Sequence, residues 1–202
     1  MADGATDRRP EQAAGDSGRE RILRAAYEEF SRSGVKAVGV DSVIAKAGVA
    51  KMTLYRNFPS KDDLVLAFLE RREETWTYAW LAAAATERGT TPRERLLAIF
   101  DVFGEWFASA EFEGCSFIRV LLETTDTGGP VLAASVRHLE NIRAFLRGLA
   151  EEAGVDDTDA FARTWHILMK GSIIAALEGD TVAASRSQEL GRLLLDSHGI
   201  TT

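Results

Sequence analysis

The sequence predicts an all-α protein of about nine helices, a small helix-turn-helix unit followed by a larger helical domain. Three observations carry that reading. Apolar residues recur at i, i+3, i+4 and i+7 in segment after segment, the period of a helix with one buried face. Proline occurs only four times in 202 residues, and the alternation expected of strands is scarce. Helix ends are marked by capping residues and by glycines placed where a chain must turn. Hydrophobic residues at 46% and charged residues at 27% are ordinary for a globular chain long enough to bury a substantial core.

Taken in order, residues 1–17 are polar and almost free of large apolar groups, and are expected to form a disordered tail. Arg8 and Arg9 give that tail the charge of an arm able to enter a DNA minor groove. A first helix follows over Arg19–Ser33, with Ile22, Leu23, Ala26 and Phe30 on its inner face and Gly34 ending it. Val40, Val43, Ile44 and Ala47 share one face of a second helix. Gly48 then supplies the left-handed backbone that a helix end requires. Ala50 to Asn57 make about two further turns, with Leu54 facing inward.

A fourth helix starts at Ser60, whose side chain is placed to accept from the backbone of Asp63. No glycine or proline interrupts it before Gly89, so a rod of about 28 residues, roughly 42 Å, is expected. Thr91-Pro92-Arg93-Glu94 combines capping-box spacing with proline at the first helical position, and opens a helix to about Ser109. Shorter and longer helices follow over Gly114–Glu123, Pro130–Ala153, Thr158–Glu178 and Thr181–Asp196. The expected domains are therefore 18–64 and 65–202.

The second and third helices with Gly48 between them form a helix-turn-helix, whose second helix can lie in a DNA major groove. Its outward residues are Lys51, Thr53, Tyr55, Arg56 and Asn57. No acidic residue occurs between Asp41 and Asp62, whereas Lys46, Lys51, Arg56 and Lys61 are all cationic. Residues 19–68 hold nine Lys and Arg against six Asp and Glu in a chain whose net charge is −7. A chain acidic overall must present that one basic face to hold a polyanion. Lys61 lies in the first turn of its helix, where the positive helix end disfavours a cation and a DNA phosphate would be a better partner.

The segment from about Arg19 to Leu69 resembles the DNA-binding domain of the TetR family of bacterial transcriptional regulators. The resemblance rests on AGV at 47–49, TLYRNF at 53–58 and SKDDL at 60–64. It covers about a quarter of the chain, and the remainder is similar only in helical layout. Two features depart from the family pattern: Val38 and Gly39 stand where Ser or Thr usually caps the second helix, and Ile44 where Ala is usual. The resemblance implies a double-stranded DNA operator, phosphate contacts from Tyr55 and Lys61, and a small-molecule effector bound in the second domain.

Trp76, Trp80, Phe103, Trp106, Phe107, Phe117 and Trp165 lie on four helices of that domain. Core packing accounts for each of them singly; as a set they suit an apolar effector cavity, with His166, Arg119 and Tyr78 as candidate polar contacts. The last two helices carry more apolar residues than one packed face needs: Ile173, Ile174 and Leu177, then Val182, Leu190, Leu193 and Leu194. Pairing with the same helices of a second copy would give a four-helix bundle and a homodimer, and hence a palindromic operator.

A rival reading is an enzyme, or a helical binding protein without an operator. No Gly-rich phosphate loop, HExxH or CxxC occurs, and the three histidines, His138, His166 and His198, are scattered. No catalytic residue, metal or cofactor is called for. The single Cys115 suits a reducing cytoplasm. With neither an apolar span nor a signal core, a cytoplasmic location and no membrane partner are expected. The expected function is a homodimeric DNA-binding regulator, a repressor released by a small molecule.

Overall fold

The computed structural model describes residues 17–201. The expected tail, with Arg8 and Arg9, therefore lies outside the described residues apart from Ser17, which caps the first helix. Among the described residues the chain is helical and contains no strand. The elements are α1 (Gly18–Ser33), α2 (Val40–Ala47), α3 (Lys51–Asn57), α4 (Lys61–Arg72), a π-helical stretch (Glu73–Ala82), α5 (Ala83–Arg88), α6 (Pro92–Ala108), α7 (Ser116–Glu123), α8 (Pro130–Glu152), α9 (Thr158–Leu177) and α10 (Ala183–Ser197). They fall into two compact units, one ending at Phe68 and the other beginning at Leu69. The boundary expected after Leu64 lies just ahead of that division, inside α4.

Local chemistry sets the helix ends. Ser17 Oγ accepts from Glu20 N–H at 3.2 Å. Ser60 Oγ accepts from Asp63 N–H at 3.1 Å, and the Asp63 carboxylate accepts in return from Ser60 N–H at 2.9 Å. Thr91 Oγ1 accepts from Glu94 N–H at 3.2 Å while the Glu94 carboxylate accepts from Thr91 N–H at 3.0 Å. Two or more orphan donors are thus satisfied at each of the last two starts. Gly39 begins α2 without any side-chain cap, in line with the departure noted in the sequence. Gly48 has φ 61° and ψ 41°, and its N–H returns to Ala45 and Ile44; a side chain there would cost roughly 1–2 kcal/mol.

In the N-terminal unit α1 packs on α2 and α3. Ile22, Ala26 and Phe30 of α1 are buried with Val43, Leu54 and Phe58. The start of α4 completes this core, with Phe68 edge-on to Phe30 at 5.5 Å and to Tyr27 at 5.7 Å. In the C-terminal unit α8 packs along α9 and α7, and α10 packs along α6 and α9. Phe100, Phe103, Leu146, Phe161, Trp165 and Leu195 are buried there. The approach of α10 depends on Gly191, where a Cβ would come within 2.9 Å of Trp165 Cη2 and 3.3 Å of Phe100 Cε2.

The helical segment from 61 to 88 departs from the uniform α-helix expected of it. Residues 73–82 are wound as a π-helix. Trp76, Thr77, Leu81 and Ala85 are all buried. An α-helical turn would set Trp76 and Leu81 about 140° apart, whereas the wider i→i+5 turn brings them toward one side. Burial of this large-residue face thus overrides the α-helical period. The seventh helix also begins later than expected, at Ser116, because Gly114 turns the chain with φ 79°.

Candidate functional site

Two buried anchors orient α3. Leu54 is fully buried and Phe58, just beyond the helix, is nearly so. Arg19 closes over the Phe58 ring from α1 at 5.1 Å. The opposite side of the helix then faces solvent, presenting Lys51, Met52, Tyr55 and Arg56. Met52, 78% exposed, is absent from the residues singled out in the sequence.

The other expected DNA contacts are placed less uniformly. Thr53 is half-buried, and a Cβ on Gly18 would come within 2.9 Å of its methyl carbon. Asn57 donates its side-chain amide to the Thr53 carbonyl at 2.7 Å. Lys51 Nζ lies 3.3 Å from Asp41, both groups being exposed. Lys61 opens α4 and is half-buried. The basic charge read along the motif is partly compensated: Lys46 lies 3.0 Å from Glu28 and 2.9 Å from Glu29. The Lys46 hydrogen bond holds the Glu29 carboxyl below its ordinary range, and Glu29 with Glu28 raises the lysine. Sequence charge counts cannot distinguish a cation matched within its own unit from one turned outward.

In the C-terminal unit the expected aromatic set divides. Trp76, Trp80, Phe103, Trp106 and Phe107 form a contiguous cluster, with Trp76–Trp106 at 5.1 Å and Phe103–Phe107 at 5.4 Å between ring centres. Phe112, not singled out in the sequence, joins it at 4.9 Å from both Trp106 and Phe107. Trp165 packs with Phe100 and Phe161, each at 5.5 Å, and Phe100 meets Phe103 of the cluster edge-on at 6.3 Å. Phe117 stacks on His138 at 5.2 Å.

His138 Nδ1 lies 2.9 Å from Glu73, whose carboxylate accepts from the Asn141 amide at 2.8 Å. No sequence signal links these three residues. His166 is 3% exposed. Burial, with help from Lys170 and Arg143, lowers its pKa to about 3. Tyr78 is exposed rather than interior, and the Arg119 guanidinium donates to the Glu113 carbonyl at 3.0 Å. The buried atoms Trp76 Nε1, Thr77 Oγ1, Ser135 Oγ and His166 Nδ1 have no hydrogen-bond partner among the described residues. Burial pushes the Cys115 thiol up, away from the thiolate that redox chemistry needs.

Outward on α9 are Ile167 (63% exposed), Ile174 and Leu177, and on α10 Leu190 and Leu193 (65%) with Val182 just ahead of it. A shallow surface groove runs along α9 past Ile167, Gly171 and Ile174. Among the described residues no helix is long and apolar enough to cross a membrane, and no group of three or more His, Cys, Asp or Glu is set to hold a metal.

A three-helix unit whose third helix turns one face to solvent, ahead of a separate helical unit, defines the class of helix-turn-helix transcriptional regulators. Residues 22–68 match the family model of the bacterial regulatory proteins of the tetR family. A crystal structure of a putative TetR transcriptional regulator from Streptomyces avermitilis is 30% identical, with a TM-score of 0.81, and the likeness covers 92% of this chain and all of that one. The transcriptional activator FasR of Mycolicibacterium smegmatis is 33% identical over 131 residues, 65% of this chain and 57% of the activator's length. The repressor KstR of the same organism is 41% identical over 78 residues, 39% of this chain and 37% of that protein. The chain belongs to the TetR family. It is a DNA-binding transcriptional regulator and not an enzyme.

Proposed function

We propose that this regulator is a homodimeric repressor that leaves a palindromic operator when a small, largely apolar effector binds in its C-terminal unit. The observation that carries the reading is the orientation of α3: Leu54 is buried while Tyr55 and Arg56 face outward, in a unit whose next helix starts at Lys61. Lys51, Thr53 and Asn57 are assigned to base edges, and Tyr55, Arg56 and Lys61 to the phosphate backbone. The exposed apolar residues of α9 and α10 support a two-fold interface. The cluster around Trp76 and Trp106, with unpartnered polar atoms in the same unit, supports an effector site. Phe117, Trp165 and His166 are assigned to the same effector site. FasR is an activator and KstR a repressor, so neither likeness sets the direction of control. Repression is preferred because occupancy of the operator suffices for it, whereas activation demands a further surface for the transcription machinery.

Selection from randomised duplexes tests operator binding, and failure to enrich any sequence would favour a helical binding protein without an operator. On an enriched duplex, Lys61→Ala should weaken binding to all sequences alike. It should also flatten the slope of log K against log salt by about one. An unchanged slope removes Lys61 from the interface.

The effector reading makes a second demand. A compound that binds the C-terminal unit should oppose the operator by one shared coupling energy of about 1–3 kcal/mol, seen equally in either affinity. Phe103→Ala should alter that response and leave operator affinity without the compound nearly unchanged. A tightly bound compound that leaves operator affinity unmoved refutes the switch.

A further inference from the structure

Among the large hydrophobic residues described, Met52 has the highest exposure, 78%. It lies on α3, two residues before the buried Leu54 and therefore on the opposite side of the helix. Tyr55 and Arg56 follow it by three and four residues on that same outward face, and both are exposed. An unbranched thioether gains nothing from solvent in this position, but it adapts well to an irregular apolar partner. The other apolar group available on the helix is the Thr53 methyl, which lies against α1, where a Cβ on Gly18 would meet it at 2.9 Å.

In the major groove the apolar feature of a base pair is the C5-methyl of thymine. We infer that Met52 is a specificity-determining residue that reads a thymine methyl in each half-site. This inference rests on the operator-binding reading and deepens it, since it states the chemistry of one operator position. Tyr55 and Arg56 are then the flanking groups that hold the helix in register, and Met52 supplies apolar recognition that neither can.

The test uses the full-length protein and the duplex it enriches from a randomised library. Each thymidine of one half-site is replaced in turn by deoxyuridine, which removes only the methyl group. At one or two positions the replacement should weaken binding about threefold to fivefold, the effect of one buried methyl-sized group. Met52→Ala should weaken binding to the thymidine duplex by a similar factor and bind the two duplexes equally. Thermal unfolding of the variant should be unchanged, because the residue is exposed in the free protein. If deoxyuridine is neutral at every position while an enriched duplex exists, the inference fails and operator binding stands. It also fails if the difference between thymidine and deoxyuridine persists in Met52→Ala. If no sequence is enriched, the operator reading fails and takes the inference with it.

Discussion

Leu54→Ala should destabilise the N-terminal unit by about 2–5 kcal/mol, because it removes a fully buried side chain from a small core. Small units bury a lesser fraction of their surface, so that loss is a large part of their total stability. The variant should lose DNA binding under conditions where the C-terminal unit remains folded. The four tryptophans, Trp76, Trp80, Trp106 and Trp165, all lie beyond Leu69. Tryptophan fluorescence therefore reports the second unit alone, while circular dichroism reports both. The expected result is an early loss of helical signal with an unmoved fluorescence midpoint. A fluorescence transition that shifts together with the helical signal would show that the two units unfold as one block.

The second large effect is on the dependence of stability on pH. His166 has its pKa lowered to about 3 by burial, reinforced by Lys170 and Arg143 and opposed by Glu140. The unfolded chain takes up a proton at this residue below about pH 6.5, and the folded chain does not until about pH 3. The unfolded state thus binds more protons throughout that window, and stability falls as the pH is lowered. Between pH 7.5 and pH 5 the loss attributable to His166 is about 2 kcal/mol. Urea titrations followed by tryptophan fluorescence should show this difference, and His166→Gln should reduce it by about that amount. A variant with the same pH dependence as the unmodified protein would assign the acid sensitivity to other groups.

The features that prove legible in the sequence are those whose causes are local. Gly48 falls four residues after Ile44, so its left-handed turn follows from the end of one apolar period and the start of the next. The reciprocal bonds of Thr91 with Glu94, and of Ser60 with Asp63, join residues three apart and need no tertiary partner to be foreseen. The inward face of α1 and the burial of Leu54 follow from the helical period.

Other features depend on groups distant in the chain. The π-helical winding of 73–82 arises because Trp76, Thr77 and Leu81 are buried together, which no pattern within that segment demands. The aromatic set is not one block of direct neighbours, because Phe117 stacks on His138 and Trp165 meets Phe100, which in turn meets Phe103. Lys46 is matched by Glu28 and Glu29 of another helix, so a cation counted toward the DNA face is engaged within its own unit. Met52, not singled out in the sequence, is exposed on the side of α3 opposite the buried Leu54.

The sequence alone thus determined the all-helical class, the helix-turn-helix and its turn, the helix starts and the family resemblance. Each of these is set by backbone preferences and by contacts three or four residues apart. Only the tertiary structure decided which aromatic rings touch, which cations remain outward, where the long helix widens and how deeply His166 is buried. Those outcomes depend on neighbours tens of residues away, whose burial and pairing energies exceed the local preferences that a linear pattern records.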